Sequence, residues 1–334
     1  MIRHYNIPIF LPELACPFRC SYCNQSAVSG RQNLPAADEI QQIIERNLQS
    51  FAQKERHVEI AFFGGSFTGL PFSSQAYYLN IAQPYLISTE VQGIRISTRP
   101  DYINTKTLEF LKSHGVSTIE LGAQSLDDEV LQGSGRGHSV ADVKAASQLI
   151  LNHGFRLGLQ MMIGLPLDNF KKATHTAQQI IEAGAHETRI YPCLVLHDTA
   201  LEQFYRKGDY TPLTLEEAVE WSAALYLMFE KVGVVVLRIG LHASEEFGSG
   251  GLVAGPYHPS FKALVMSAIW ENQFNEYGEW PTSDSVTIFT AQKELNFAVG
   301  HTAANKNRLL LRYKQVFFKV DPRMEGRKFQ IQGF

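Results

Sequence analysis

Residues 6–24 run Asn6-Ile7-Pro8-Ile9-Phe10-Leu11-Pro12-Glu13-Leu14-Ala15-Cys16-Pro17-Phe18-Arg19-Cys20-Ser21-Tyr22-Cys23-Asn24. Residues 6–11 read as a short β-strand, and three cysteines follow it in a C-x3-C-x2-C spacing. The whole chain holds only four cysteines. Three of them crowded into eight positions are a poor arrangement for stapling a fold and point to metal. Three thiolates on one loop can ligate three irons of a four-iron cubane, whose usual complement is four cysteines, so one iron would lack a protein ligand. The competing readings are a structural zinc site and three ordinary buried thiols. Zinc normally takes four ligands from paired dyads, and neither His4 nor Cys193 stands in such a spacing.

Working outward, β-rich runs at 6–11, 58–63, 93–97, 117–121, 156–161 and 187–192 alternate with helical patterns at 36–51, 72–86, 104–114, 140–153 and 169–183. That alternation is the pattern of parallel strands joined by crossover helices. Gly115, Gly154 and Gly184 stand just after three of the helices, where a left-handed C-cap is expected. Six such units suit an α/β fold, a partial (β/α)6 TIM-like barrel with its site at the C-terminal ends of the strands. An open doubly wound sheet is the structural alternative.

The periodicity changes after residue 215. A helix at 215–231, a β-run at 234–237 and a glycine-rich loop at 248–255 come first. A helix at 259–270 and strands at 285–289, 309–313 and 315–320 follow. The expected division is a barrel domain at 1–240 and a C-terminal α+β extension at 241–334. Residues 241–300 carry seven acids against two Lys/Arg, and residues 301–334 eight Lys/Arg against two acids. A basic C-terminal face is therefore expected, with a solvated surface as the plainer account. The chain has 334 residues, 45% of them hydrophobic, and a net charge of -3, so global charge draws it to neither nucleic acid nor an acidic membrane. No apolar stretch approaches the roughly 20 residues that span a bilayer, and residues 1–14 lack a signal pattern, so a cytoplasmic location is expected.

An iron without a protein ligand has a chemical use: the amino and carboxylate groups of S-adenosylmethionine can chelate it and bring the sulfonium near the cluster. With an aromatic residue just before the third cysteine, the run resembles the radical S-adenosylmethionine superfamily. Further stretches resemble the catalytic subunit of Elongator, a tRNA wobble-uridine enzyme. These are Phe63-Gly64-Gly65-Ser66-Phe67, Ser97-Thr98-Arg99-Pro100-Asp101, Glu120-Leu121-Gly122-Ala123-Gln124-Ser125, Met162-Ile163-Gly164-Leu165-Pro166 and Ile190-Tyr191-Pro192. Two features depart from that pattern. The gap between the first two cysteines is short, and too few residues follow the barrel for an acetyltransferase domain. The likeness is therefore to stand-alone bacterial Elongator-like proteins without that domain.

The resemblance implies a [4Fe-4S] cluster on Cys16, Cys20 and Cys23, S-adenosyl-L-methionine as cofactor, and a one-electron reductant such as flavodoxin or ferredoxin. It further implies formation of a 5′-deoxyadenosyl radical and action on RNA, with tRNA as partner. It places Gly64, Gly65, Ser66, Ser97, Arg99, Glu120, Gln124 and Gln160 in cofactor contact. Each has a plainer account: Gly-Gly is common in turns, and Arg99 can pair with Asp101 at a loop. Arg136 and His138 fall in a glycine-rich loop, as solvated residues or as ligands for a phosphate or the cofactor carboxylate. Cys193, Tyr191 and His197 read as structural, and the stretch Gly255-Pro256-Tyr257-His258-Pro259 reads as a lid or a turn that starts a helix.

Tyr313, Phe317, Phe318 and Phe329, interleaved with Lys and Arg, suit a nucleic-acid surface, but alternating aromatics in a strand also enter cores. Oxygen-independent coproporphyrinogen oxidases share the short cysteine spacing. They typically carry one more cysteine just after it, where Asn24 and Gln25 stand here. A non-catalytic iron–sulfur or RNA-binding protein is the reading from another class.

Overall fold

The structure is a computed structural model that describes residues 3–11, 20–24, 34–51, 56–241 and 251–334. Cys16, Gln25 and the first three residues, 248–250, of the glycine-rich loop lie outside the described residues. Two compact units divide the chain: Met1–Thr214 with Met228–Pro256, and Leu215–Leu227 with Tyr257–Phe334.

All six strands read from the sequence form in the first unit. They are β1 (Arg3–Leu11), β2 (Arg56–Gly64), β3 (Gly93–Thr98), β4 (Val116–Gln124), β5 (Arg156–Ile163) and β6 (Glu187–Pro192). Helices α1 (Ala37–Ser50), α2 (Phe72–Ile87), α3 (Thr105–Ser113), α4 (Asp128–Gly133), α5 (Val140–Asn152) and α6 (Phe170–Glu182) lie between them. Local chemistry sets the ends. The Asn104 and Asn169 side chains accept from Thr107 N–H and Lys172 N–H, a Ser139/Asp142 capping box opens α5, and Gly115, Gly154 and Gly184 adopt φ of 75–76°. The short β7 (Val195–Leu196), α7 (Ala200–Lys207) and the long α8 (Leu215–Lys231) follow.

The run at 234–237, not counted among the six barrel strands, is β8 (Val235–Ile239), the seventh member of the sheet, whose order is β1-β2-β3-β4-β5-β6-β8, all parallel. Partly exposed on both sides, it shows no two-fold pattern from which its neighbour could be read. The short β9 (Leu252–Ala254) pairs antiparallel with β7.

Alternation along the strands sorts two faces. Ile60, Ile94, Ile96, Ile119, Leu121, Leu157, Leu159 and Ile190 are fully buried, and each contributes roughly 1.5–3 kcal/mol by leaving water. The opposite parity carries Glu59, Arg95, Glu120, Gln160 and Arg189. Arg95 on β3 is bonded to Glu187 on β6, three strands away. A flat sheet would separate those strands by about 14 Å. The pairing therefore requires the sheet to curl with these side chains on its concave face, as a partial TIM-like barrel.

In the second unit, α9 (Phe261–Glu276), α10 (Leu295–Val299) and α11 (Ala304–Leu309) accompany a sheet of β10 (Ser285–Thr290), β11 (Gln315–Val320) and β12 (Phe329–Gly333), in the order β11-β10-β12. Trp270, Phe274, Val286, Ile288, Tyr313 and Val316 form its core, with Phe318 and Phe329 packed against it. The strand expected at 309–313 is not formed. The end of α11 and a turn occupy those residues, closed by Leu310 N–H to Lys306 O and Tyr313 N–H to Leu309 O. Leu311 is 90% exposed, so the leucine run is a helix end and not a buried strand. The expected RNA-facing aromatics are corrected too: three of the four turn inward, and only Phe317 faces outward, its ring tilted against that of Phe334 at 5.9 Å.

Candidate functional site

Cys16 lies outside the described residues; Cys20 and Cys23 share one turn, in which Cys23 N–H donates to Cys20 O at 3.0 Å. Three further hydrogen bonds pin the turn: Ser21 N–H to Ser134 O at 3.0 Å, Leu201 N–H to Ser21 O at 2.7 Å, and Asn24 Nδ2 to His197 O at 3.0 Å. Between the cysteines, Tyr22 packs on a cluster of Val130, Leu165, Cys193, Val195, Leu201 and Tyr210. Burial pushes its phenol well above the ordinary range. The aromatic residue thus anchors the turn while the thiols flank it.

Arg136 is the residue that sequence reasoning misplaced. It is not solvated: at 8% exposure it donates Nη1 to Cys20 Sγ at 3.4 Å and Nη2 to Gly122 O at 2.7 Å. A Cβ on Gly122 would stand 2.7 Å from that nitrogen, so glycine is needed for the approach. His138 is buried too, with Nε2 3.3 Å from Ala123 O. Burial, then the nearby Arg136 and Arg99, hold its imidazole at about 4, so it is neutral near pH 7.

These contacts place the cysteine turn at the C-terminal end of β4. The chain leaves β1 at Leu11, and there Gly65 N–H donates to Leu11 O at 3.1 Å. Gly64 has φ of 117°, and a Cβ on it would collide with the Leu11 carbonyl. The glycine pair therefore lets the ends of β1 and β2 close together and leaves bare backbone at the rim. Ser66 Oγ accepts from Arg99 N–H at 3.0 Å and shares a hydrogen bond with Thr98 Oγ1 at 3.0 Å. Arg99, 2% exposed, grips Asp101 through Nε at 2.9 Å and Nη2 at 3.0 Å.

Gln124, at the tip of β4, has a left-handed φ of 66°, and its buried Oε1 has no hydrogen-bond partner among the described residues. A strained, unsatisfied acceptor at a strand end is what a donor-bearing ligand would complete. The donor set fits a thiolate-bound metal group: two soft sulfurs lie in one turn, one of them facing a guanidinium. It is a poor fit to a hard oxygen-seeking cation.

The other three predicted contacts lie deeper. Glu120 precedes Gln124 by four residues, roughly 13 Å of extended strand. Its carboxylate accepts from Arg95 Nη1 at 2.6 Å, Arg189 Nε at 2.7 Å, Arg189 Nη2 at 2.9 Å and Gln160 Nε2 at 3.0 Å. Gln160 also reaches Ser97 Oγ at 3.3 Å. Burial opposes ionisation of Glu120, yet Arg189 and Arg95 hold its carboxyl down at about 2. Glu59 completes the network through Arg95 Nη2 at 2.6 Å and Thr118 Oγ1 at 2.6 Å. Sequence reasoning missed Glu59, Arg95, Glu187 and Arg189. Their signal was a charged residue at alternate positions in otherwise apolar strands.

Cys193 sits in the Tyr22 cluster, 2% exposed, where burial pushes its thiol up to about 12. His197 is half exposed, with Nδ1 3.1 Å from Glu202. His258 lies in the second unit, its ring edge-on to His301 at 5.2 Å.

Comparison with known proteins agrees with this geometry. A sequence model of the Radical SAM superfamily matches residues 14–180, and one of the Radical_SAM C-terminal domain matches residues 185–271. The tRNA uridine(34) acetyltransferase of Methanocaldococcus jannaschii is 25% identical over 193 residues, 52% of this chain and 36% of that protein. Elongator complex protein 3 of Drosophila melanogaster is 30% identical over 46% of this chain and 31% of its own length. The chain thus spans about a third of the length of these two relatives. Among solved structures, the Elp3 of the archaeon Methanocaldococcus infernus, with its N-terminus deleted, superposes with a TM-score of 0.67 at 21% identity. That match covers 82% of this chain and 64% of the other, and it establishes a shared fold. Among the described residues no helix is long and apolar enough to cross a membrane.

Proposed function

Since the chain belongs to the Radical SAM superfamily and is an enzyme of that class, we propose that it cleaves S-adenosylmethionine reductively and modifies tRNA. The observation that carries this reading is the Cys20–Cys23 turn, held at the C-terminal end of β4 by Arg136, which bonds both Cys20 Sγ and Gly122 O. Cys16, Cys20 and Cys23 would hold a [4Fe-4S] cluster. When bound, that group supplies one electron to the sulfonium and breaks a carbon–sulfur bond, giving a 5′-deoxyadenosyl radical.

The protein's part is to bind, orient and exclude water. Gly64 and Gly65 offer bare backbone to the methionyl end of the cofactor, and Gln124 Oε1 offers an unspent acceptor. Ser66 and Arg99 brace the rim through each other and through Asp101. Ser97, Glu120 and Gln160 act from below, as the charged floor of the barrel. A flavodoxin or ferredoxin is the class of reductant this needs. The tRNA half of the proposal is supported by the Methanocaldococcus jannaschii relative, named for activity on tRNA uridine(34), at the identity and coverage given above.

Anaerobically reconstituted protein with dithionite should convert S-adenosylmethionine to 5′-deoxyadenosine and methionine. Cys16→Ala, Cys20→Ala or Cys23→Ala should each abolish the conversion. Cluster-loaded protein that leaves the cofactor intact would sink the proposal. For the substrate, tRNA nucleosides from cells with and without this chain are compared by mass spectrometry. An identical nucleoside profile would remove tRNA from it.

A further inference from the structure

Arg136 lies 116 residues from Cys20 in sequence, yet its Nη1 points at the Cys20 sulfur from 3.4 Å while Nη2 holds Gly122 O at 2.7 Å. Both partners are fixed. Cys20 is 6% exposed, Gly122 O belongs to β4, and the neighbouring Ser134 O holds Ser21 N–H in the same turn. A guanidinium stays charged at any working pH and offers two N–H groups in one plane. Its planar fork can therefore bind a strand carbonyl and a thiolate at once in one fixed geometry, whereas the lysine ammonium is a compact point charge on a flexible stem. His138, the titratable neighbour, is held neutral by burial and adds no competing charge.

We propose that Arg136 is a positioning residue for the thiolate-bound cluster, docking Cys20 against β4 and raising the reduction potential of the iron–sulfur group through its N–H···S hydrogen bond. The inference rests on the cluster reading above. Reduction adds one electron, and so one negative charge, to the cluster. A cation and a hydrogen bond at a ligand sulfur stabilise that reduced form more than the oxidised one, and hydrogen bonds to sulfur are among the known determinants of cluster potential. No bond at Arg136 is made or broken; the electron comes from the external reductant.

The test is an EPR-monitored redox titration of the full-length, cluster-loaded protein with no S-adenosylmethionine present, which separates this role from a contact to the cofactor carboxylate. In Arg136→Met the reduced-to-oxidised ratio at fixed poise should fall about tenfold, a shift of about 59 mV for a one-electron couple. Arg136→Lys should recover part of it by keeping the charge. An Arg136→Met protein with full iron and sulfide content that titrates on the wild-type curve overturns the proposal. Should that variant fail to load its cluster, wild-type protein grown with 15N-guanidino arginine is examined by pulsed EPR. A 15N coupling to the reduced cluster that is lost in Arg136→Lys supports the contact, and no coupling in the wild type overturns it. A wild-type protein that reconstitutes without any cubane signal fails the cluster reading itself, a result distinct from an unchanged midpoint.

Discussion

Arg189 on β6 clamps the carboxylate of Glu120 on β4 with two hydrogen bonds of 2.7 and 2.9 Å, side by side from Nε and Nη2. Residues 69 apart in sequence thereby tie the middle of the curled sheet together. Fork-to-carboxylate geometry of this kind is the strong form of an ion pair.

Glu120→Gln should therefore act on stability before it acts on cofactor binding. It leaves Arg189 and Arg95 buried beside a neutral amide, and breaking a buried pair from one side costs roughly 3–5 kcal/mol. Denaturant melts should show the loss, with S-adenosylmethionine affinity of the folded fraction changed less than threefold. Wild-type stability combined with a large drop in affinity would return Glu120 to the cofactor.

Gly64→Ala should weaken the junction of β1 and β2. The left-handed φ of 117° and the Leu11 carbonyl both reject a Cβ, and strain of this sort costs about 1–3 kcal/mol. Chemical denaturation measures the loss, and hydrogen exchange should show faster opening at Gly65 N–H. An alanine variant as stable as the wild type would remove this account of the glycine pair.

The pH dependence of stability should carry a signature of His138. Its folded-state value of about 4 lies below the ordinary 6.5, so between those values the unfolded chain binds more protons than the folded one. Stability is then full above about pH 6.5 and is lost as the pH falls toward 4. Between pH 7 and pH 5 the contribution amounts to about 2 kcal/mol. Urea melts of wild type and His138→Gln at those two pH values should show the wild type losing more. Parallel losses would contradict the burial of a neutral imidazole.

The aromatics of the second unit should divide by face. Tyr313→Ala opens a cavity in its core and should cost roughly 3–5 kcal/mol, whereas Phe317→Ala, on the outer face, should stay within about 1 kcal/mol. Truncating residues 301–334 would remove β11 and β12 and is not a clean probe of RNA binding. Charge reversal at the exposed Lys319 keeps the sheet and is the better variant. Equal thermal shifts for the Tyr313 and Phe317 variants would contradict the packing described.

Much of the protein was legible before any coordinates, for local reasons. Strand and helix order, the glycine C-caps and the cysteine spacing are written in residues a few positions apart, where periodicity and capping chemistry act directly. The cysteine run named the metal chemistry because three thiols on one short loop have few other uses.

Tertiary structure alone decided what those residues touch. Ser97, Glu120 and Gln160 look like rim ligands on their strands. Arg95 and Arg189, 25 and 69 residues from Glu120, make it the buried centre of a charged floor that Gln160 and Ser97 join through hydrogen bonds. Arg136 reads as a solvated loop residue until the chain folds back to set it against Cys20. Leu309-Leu310-Leu311 reads as a strand until its exposure shows it to be a helix end. A sequence fixes which groups a chain carries and how each short segment prefers to bend. Which distant charge answers which is set by the curl of the sheet, because a buried charge must find its partner wherever the fold brings one within reach.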